Sequence, residues 1–204
     1  MRLCFTIDDV LRAKTIQFGK IYKKYINPEI DLATLDFSTN NYAQIFGFES
    51  KKEYNKFLYE DYAFEIFAEA GTCEKTVDKK LNLWLLDLQN NADLQEPVET
   101  LWANPMEFNA SIGFTYFFLS KMATRIREVF LPADSSLIWT KCDVLVTADP
   151  KLLENKPEGK IVIKIETDYN KELEADYSYE TLGAFLDDNE IIEKLEKQLH
   201  DENV

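Results

Sequence analysis

A chain of 204 residues with 46% hydrophobic and 13% aromatic residues has enough apolar mass for one large domain, or a core domain with a smaller insertion, and excludes intrinsic disorder. The formal charge of -14, with no basic patch in the sequence, excludes nucleic acid as a partner and opposes anionic small molecules unless a metal or local cations offset it. Three widely spaced cysteines (Cys4, Cys73 and Cys142) form neither a disulfide framework nor a zinc spacing, so they read as buried thiols. A single histidine, His200 in the terminal tail, excludes Ser-His, Cys-His and His-based metal chemistry. No apolar run reaches membrane-spanning length and no charged leader precedes one; the expectation is a soluble, cytoplasmic protein without a membrane partner.

The first element, "LCFTI" (3–7), is a short apolar run typical of a buried strand in a parallel sheet, and it runs into the acidic pair Asp8-Asp9. A helix is predicted over 10–26, with Val10, Leu11, Ile16, Ile21 and Tyr25 at helical spacing and the Asn27-Pro28 pair ending it. At 50–53, "SKKE" is a capping box: Ser50 accepts from the Glu53 amide while Glu53 reaches back. The helix it opens carries Tyr54, Phe57, Leu58, Tyr62 and Phe67 inward, with Gly71 as its C-terminal cap. A second helix is predicted over 76–90, with Val77, Leu81, Trp84, Leu85 and Leu88 on one stripe, then a polar linker over 89–97.

Strands are predicted at 98–103, 125–132, 143–148 and 159–166, the last alternating as if near an edge. Between them lie an apolar helix over 108–123 and a short helix over 134–142 capped by Asp134 or Ser135. Two acidic helices, 178–187 and 189–201, close the chain. Strands alternating with helices indicate α/β architecture with a parallel, Rossmann-like sheet. Some ninety mostly helical residues separate the first two strands, too many for one crossover, so an all-helical insertion is expected there. The division is 1–14 and 97–204 for the α/β core and 15–96 for the inserted helical cap.

A parallel sheet, an acidic pair ending its first strand and a helical insertion directly after it resemble the haloacid dehalogenase (HAD) superfamily. The layout is similar to its 5'-nucleotidase-like members. In that family the first strand ends in Asp-x-Asp, then usually Gly, then Thr or Val, then Leu. "FTIDDVL" (5–11) fits with Val10-Leu11 in the closing positions. Asp8 then takes the general acid/base position, Asp9 the glycine position, and Thr6 the place of the nucleophilic aspartate. Sliding the register to make Asp8 the nucleophile puts Val10 at the acid position and spoils the ending.

The resemblance implies an aspartyl-phosphate route with Mg²⁺ on the same carboxylate. A threonine hydroxyl is a far weaker nucleophile and metal ligand, and Asp8 is the only local base for it. Ala103 or Asn104, at the end of the second strand, stands where the family has a phosphate-binding Ser or Thr, and the Asn104 amide can still donate. Lys141 matches the family lysine that neutralises nucleophile and phosphate, and Asp149 follows Thr147-Ala148, where the family shows paired metal carboxylates. "DYN" (168–170) resembles a segment of the nucleotidase-like group. The implied site is Thr6, Asp8 and Lys141 for catalysis, Asn104 for substrate, and Asp8 with Asp149 for Mg²⁺, weakly held or absent if the motifs are degenerate.

Each residue also has a plainer reading: Asp9 as a helix cap, Lys141 as a solvated helix end, Asp149 as a turn opener, the aromatics of 54–67 as core, and the acidic tail (186–202) as a solvated face. Three functions follow. The first is a HAD-like hydrolase homologue without ordinary phosphohydrolase activity, kept for binding or regulation. The second is a divergent Mg²⁺-dependent phosphatase or nucleotidase acting on a small phosphorylated molecule. The third is a non-catalytic module working through the cap aromatics or the tail. Self-association into a homo-oligomer stays open.

Overall fold

The computed structural model describes residues 1–91, 97–106 and 108–201. Most of the linker expected at 89–97, the His200 side chain and the end of the acidic tail lie outside the described residues. Six strands form one all-parallel sheet: β1 (Arg2–Phe5), β2 (Glu99–Ala103), β3 (Glu128–Phe130), β4 (Val144–Thr147), β5 (Ile161–Ile165) and β6 (Tyr177–Tyr179). Their order is β3-β2-β1-β4-β5-β6. The chain winds one way from β1 through β2 to β3, then returns past β1 to build β4, β5 and β6. The carboxyl ends of β1 and β4 therefore flank the point where the winding reverses, the usual place for a crevice in such sheets.

Residue alternation distributes the strands' side chains over two unequal layers. Leu3, Phe5, Trp102, Val144, Val146, Ile161 and Ile163 face the larger core. It is closed by α4 (Val77–Asn90), α5 (Asn109–Met122), α7 (Leu182–Asp187) and α8 (Ile191–Asp201). Cys4, Leu101, Leu145 and Val162 face a smaller core under a 3₁₀ turn (Ser135–Thr140) and α6 (Pro150–Glu154). Strands covered on both faces are largely apolar, and β4 and β5 are buried along their whole length, with Thr147 and Lys164 as their polar members.

The insertion has its own core, built from α1 (Lys14–Tyr25), α2 (Tyr42–Ile45), α3 (Lys51–Lys56) and two π-helical turns, Phe57–Asp61 and Phe64–Ala68. Phe18 is its centre, with ring centroids of Phe46 at 4.9 Å, Phe57 at 5.2 Å and Tyr42 at 5.4 Å. Its two connections to the sheet lie side by side: Ala13 N donates to Gly71 O (3.0 Å) and Cys73 N to Leu11 O (2.8 Å).

Several boundaries differ from expectation. The first helix starts at Lys14, because 7–12 form a tight turn in which Leu11 N and Arg12 N both donate to Ile7 O. Val10 and Leu11 consequently join the sheet core, and Ile16 is exposed. The capping box holds on one side only: Ser50 Oγ accepts from Glu53 N, while the Glu53 carboxylate accepts from Glu49 N. Gly71 is not a left-handed cap; the last π turn ends at Ala68. α4 packs on the sheet rather than on the aromatic core, so the self-packed part of the insertion ends before it, short of residue 96. β5 is internal, since β6 covers its flank over residues expected to start a helix. The polar residue behind its apparent alternation, Lys164, is buried and donates to the carbonyls of Leu173 (2.8 Å) and Lys171 (3.3 Å).

Candidate functional site

At the carboxyl ends of β1 and β4 lies a cleft of about 100 Å³, with Thr6, Asp8, Asp9, Asn104 and Asp149 on its sheet side and Lys14, Tyr42 and Tyr169 around them. Beside it, past Asn40, Pro150 and Tyr169, runs a wider groove of about 710 Å³. Four of the five residues singled out from the sequence therefore meet: Thr6, Asp8, Asn104 and Asp149. Lys141 does not join them. It precedes β4, is exposed, and its Nζ lies 5.7 Å from the centre of the Phe130 ring.

Thr6 directly follows β1, and its amide extends the ladder by donating to Val146 O (2.9 Å). Its side chain is buried, and Oγ1 lies 3.1 Å from Thr147 Oγ1 and 3.4 Å from Val146 O. Thr147 Oγ1 in turn accepts from Asp149 N (3.0 Å). Two hydroxyls thus stand where the resemblance places carboxylates, and they satisfy each other.

The Asp8 carboxylate is gripped by two cations. Oδ1 accepts from Arg12 Nε (2.7 Å) and lies 2.5 Å from the other guanidinium arm. Oδ2 lies 3.2 Å from Lys14 Nζ and 3.2 Å from the donating amide of Asn104. Burial pushes the Asp8 carboxyl up, but the charges of Arg12 and Lys14 outweigh it and hold the group at about 2. Arg12 is wholly buried, donates also to Phe67 O (2.9 Å) and Thr115 Oγ1 (3.0 Å), and lies over the rings of Phe67 and Phe118. It joins the turn after β1, the insertion and α5 in one contact.

Asp9 has φ +56°, in the left-handed region that favours glycine, the residue the resemblance expects at this position. Its side chain caps α1 from outside, accepting from Thr15 N (2.9 Å) and Thr15 Oγ1 (2.5 Å). Tyr169 OH donates to the same carboxylate (2.9 Å), and Tyr42 OH lies 2.5 Å from Thr15 Oγ1. Burial raises the Asp9 carboxyl, and the charge of Asp8 adds to the shift. Asp149 caps α6 through Lys151 N (2.9 Å), and burial raises its carboxyl as well.

Asn104 is turned inward. Its carbonyl oxygen accepts from the amides of Ile7 (2.9 Å) and Asp8 (3.0 Å), and its amide donates to Asp8 Oδ2 and to Pro105 O (3.3 Å). The two backbone amides that an anion would use at this turn are already occupied by a side-chain oxygen. In "DYN", Asp168 pairs with Lys171 on the surface, Tyr169 reaches Asp9, and buried Asn170 donates to the carbonyls of Ala148 (3.1 Å) and Ile165 (3.0 Å).

The donor set does not fit Mg²⁺, which needs near-octahedral oxygen ligands. Both Asp8 oxygens face cations, Thr6 is neutral, and with Lys14 in place no group of three Asp, Glu, His or Cys side chains among the described residues is arranged to hold a metal ion. Arg12, Lys14 and Tyr42 were missed in the sequence, and Tyr169 was noted only within "DYN", not as a cleft residue. The available signal was the pair of cations four and six residues after Asp8, reachable only once a turn, not a helix, is placed there.

No protein-family model matches the chain, and no curated protein matches it in sequence. Among solved structures it is similar to one from Burkholderia xenovorans LB400, described provisionally as a haloacid dehalogenase-like hydrolase. The two share 11% identity with a TM-score of 0.48 over 92% of this chain and 95% of that chain.

Proposed function

We propose that this chain is a haloacid dehalogenase-like protein without ordinary phosphohydrolase activity, whose cleft serves binding or regulation. The observation that carries the reading is the grip of Arg12 and Lys14 on Asp8. A general acid must hold a proton near working pH, and a carboxyl held well below its ordinary value by the charges of Arg12 and Lys14 is ionised at neutral pH. The same low value makes Asp8 too weak a base to activate the Thr6 hydroxyl. No carboxylate stands at the nucleophile position, and the amides of Ile7 and Asp8 are filled by Asn104.

The test is hydrolysis of a simple aryl phosphate with and without Mg²⁺. The expected rate is no higher than that of Asp8→Asn in either condition. A wild-type rate typical of metal-dependent phosphatases that collapses in Asp8→Asn overturns the reading.

A further inference from the structure

We propose that Lys14 is a built-in replacement for a divalent cation, so that the cleft is held together by a side-chain ammonium and takes up no metal. Three carboxylates, Asp8, Asp9 and Asp149, border this small cleft, and such a set needs positive charge among its members. Arg12 supplies one charge from below, on Asp8 Oδ1, and is shut off from the cleft by its own burial. Lys14, unlike Arg12, lines the cleft, and its Nζ stands 3.2 Å from the other Asp8 oxygen, Oδ2.

The position of Lys14 in its helix runs against the helix dipole. It is the first residue of α1, at the positive end of the helix dipole, where a cation is disfavoured. It stays there because the carboxylates outweigh the dipole, and because its stem is half-buried with Nζ 5.8 Å from the Phe67 ring centre. Asp9 fixes the start of the same helix through Thr15, so the residue that caps α1 also aims Lys14 into the cleft. A metal would have to displace an ammonium that is already in place, and would then sit beside the Arg12 guanidinium.

Two substitutions separate this from a merely structural lysine. Lys14→Met and Lys14→Gln both keep a stem of similar length, and the second also keeps a polar end. Mn²⁺ serves as the probe, its bound fraction counted by electron paramagnetic resonance. Wild type is expected to bind none at the cleft, while either folded variant gains one site at least about tenfold tighter than any wild-type binding. That site should disappear when Asp8→Asn is added.

The proposal is overturned by a wild-type Mn²⁺ site that Asp8→Asn abolishes. It is equally overturned by folded Lys14 variants that bind no more Mn²⁺ than wild type. The readout is occupancy, not turnover. Hydrolysis by a metal-free wild-type protein would therefore refute the functional reading above and leave this one standing.

Discussion

The sheet and the insertion are built on opposite principles. The sheet core is mainly aliphatic and regular, with the rings of Phe5, Trp102, Phe118 and Phe185 set among Leu, Ile and Val: β1, β4 and β5 are buried strands whose alternate residues feed two separate layers. The insertion is aromatic and irregular, with short helices and two π-helical turns around Phe18, Tyr22, Phe46 and Phe57. Regular backbone lets small aliphatic side chains pack by register alone. Where the backbone is broken into short pieces, large rings must span the gaps, and each ring buries much area with few torsions to freeze. The π turns fit this need, because a wider turn places Phe57-Leu58 and Ile66-Phe67, adjacent in sequence, inside together. The two regions meet at the paired connections around Arg12, a wholly buried charge that touches both.

That contrast breaks most severely at Arg12. Arg12→Met is expected to destabilise the protein by about 4 kcal/mol, because it leaves Asp8 with a single cation and frees Phe67 O and Thr115. Chemical denaturation measures the loss, and hydrogen exchange locates it. Protection should fall first in 14–70, with the sheet amides of β1, β4 and β5 least affected. Uniform loss across both regions would show that Arg12 does not act as the joint.

Phe18→Ala tests the insertion alone. Removing the ring at the centre of the aromatic cluster should cost about 3 kcal/mol by denaturation, with little change in exchange at β4 and β5.

Acid should distinguish the carboxylates of the junction. The Asp8 carboxyl sits at about 2 in the fold against an ordinary 3.8, so it contributes about 2 kcal/mol above the ordinary value, lost as pH falls through that interval. Asp9 and Asp149 have raised values, and the sign reverses: their ionised forms are disfavoured, so the fold gains stability as pH falls through them. Stability should therefore hold or rise on mild acidification and drop steeply below about pH 4. In Asp8→Asn, denaturation midpoints across this range should keep the rise and lose most of the drop.

The same contrast explains what the sequence could disclose. The α/β class and five of the six strands were legible, because aliphatic runs and helical stripes carry a period. β6 was not: "YSY" is too short and too polar to stand out, and it becomes a strand only by pairing with β5. In the cleft, Thr6, Asp8, Asn104 and Asp149 were legible as neighbours because each follows a strand of one parallel sheet, so their shared end is a matter of topology. Lys141 was misplaced for the same reason, since it precedes its strand rather than following it. The partners that decide the chemistry, Arg12 and Lys14, were hidden by a helix predicted to begin at Val10. The left-handed turn at Asp9 is a backbone fact with no compositional period, and it redirects both cations onto Asp8.

The smallest expected effect is the most telling. Thr6→Asp restores the carboxylate that the family resemblance places at the end of β1, and aryl-phosphate hydrolysis is expected to stay at the background of the Thr6→Asp/Asp8→Asn double variant. A new carboxylate at the buried Thr6 position would face Thr147 and the carbonyl of Val146. It would also come up against an Asp8 that holds no proton at neutral pH and an Asn104 already bonded to the amides an anion needs. Mg²⁺ would still meet Lys14 beside Asp8. On the proposed reading, adding that one group leaves acid, anion cradle and metal position all filled by side chains of the chain itself. A measurable gain in Mg²⁺-dependent hydrolysis from Thr6→Asp alone would mean that Lys14 and Asn104 yield to ligands, and that the junction is a closed state of a working site rather than a replacement for one.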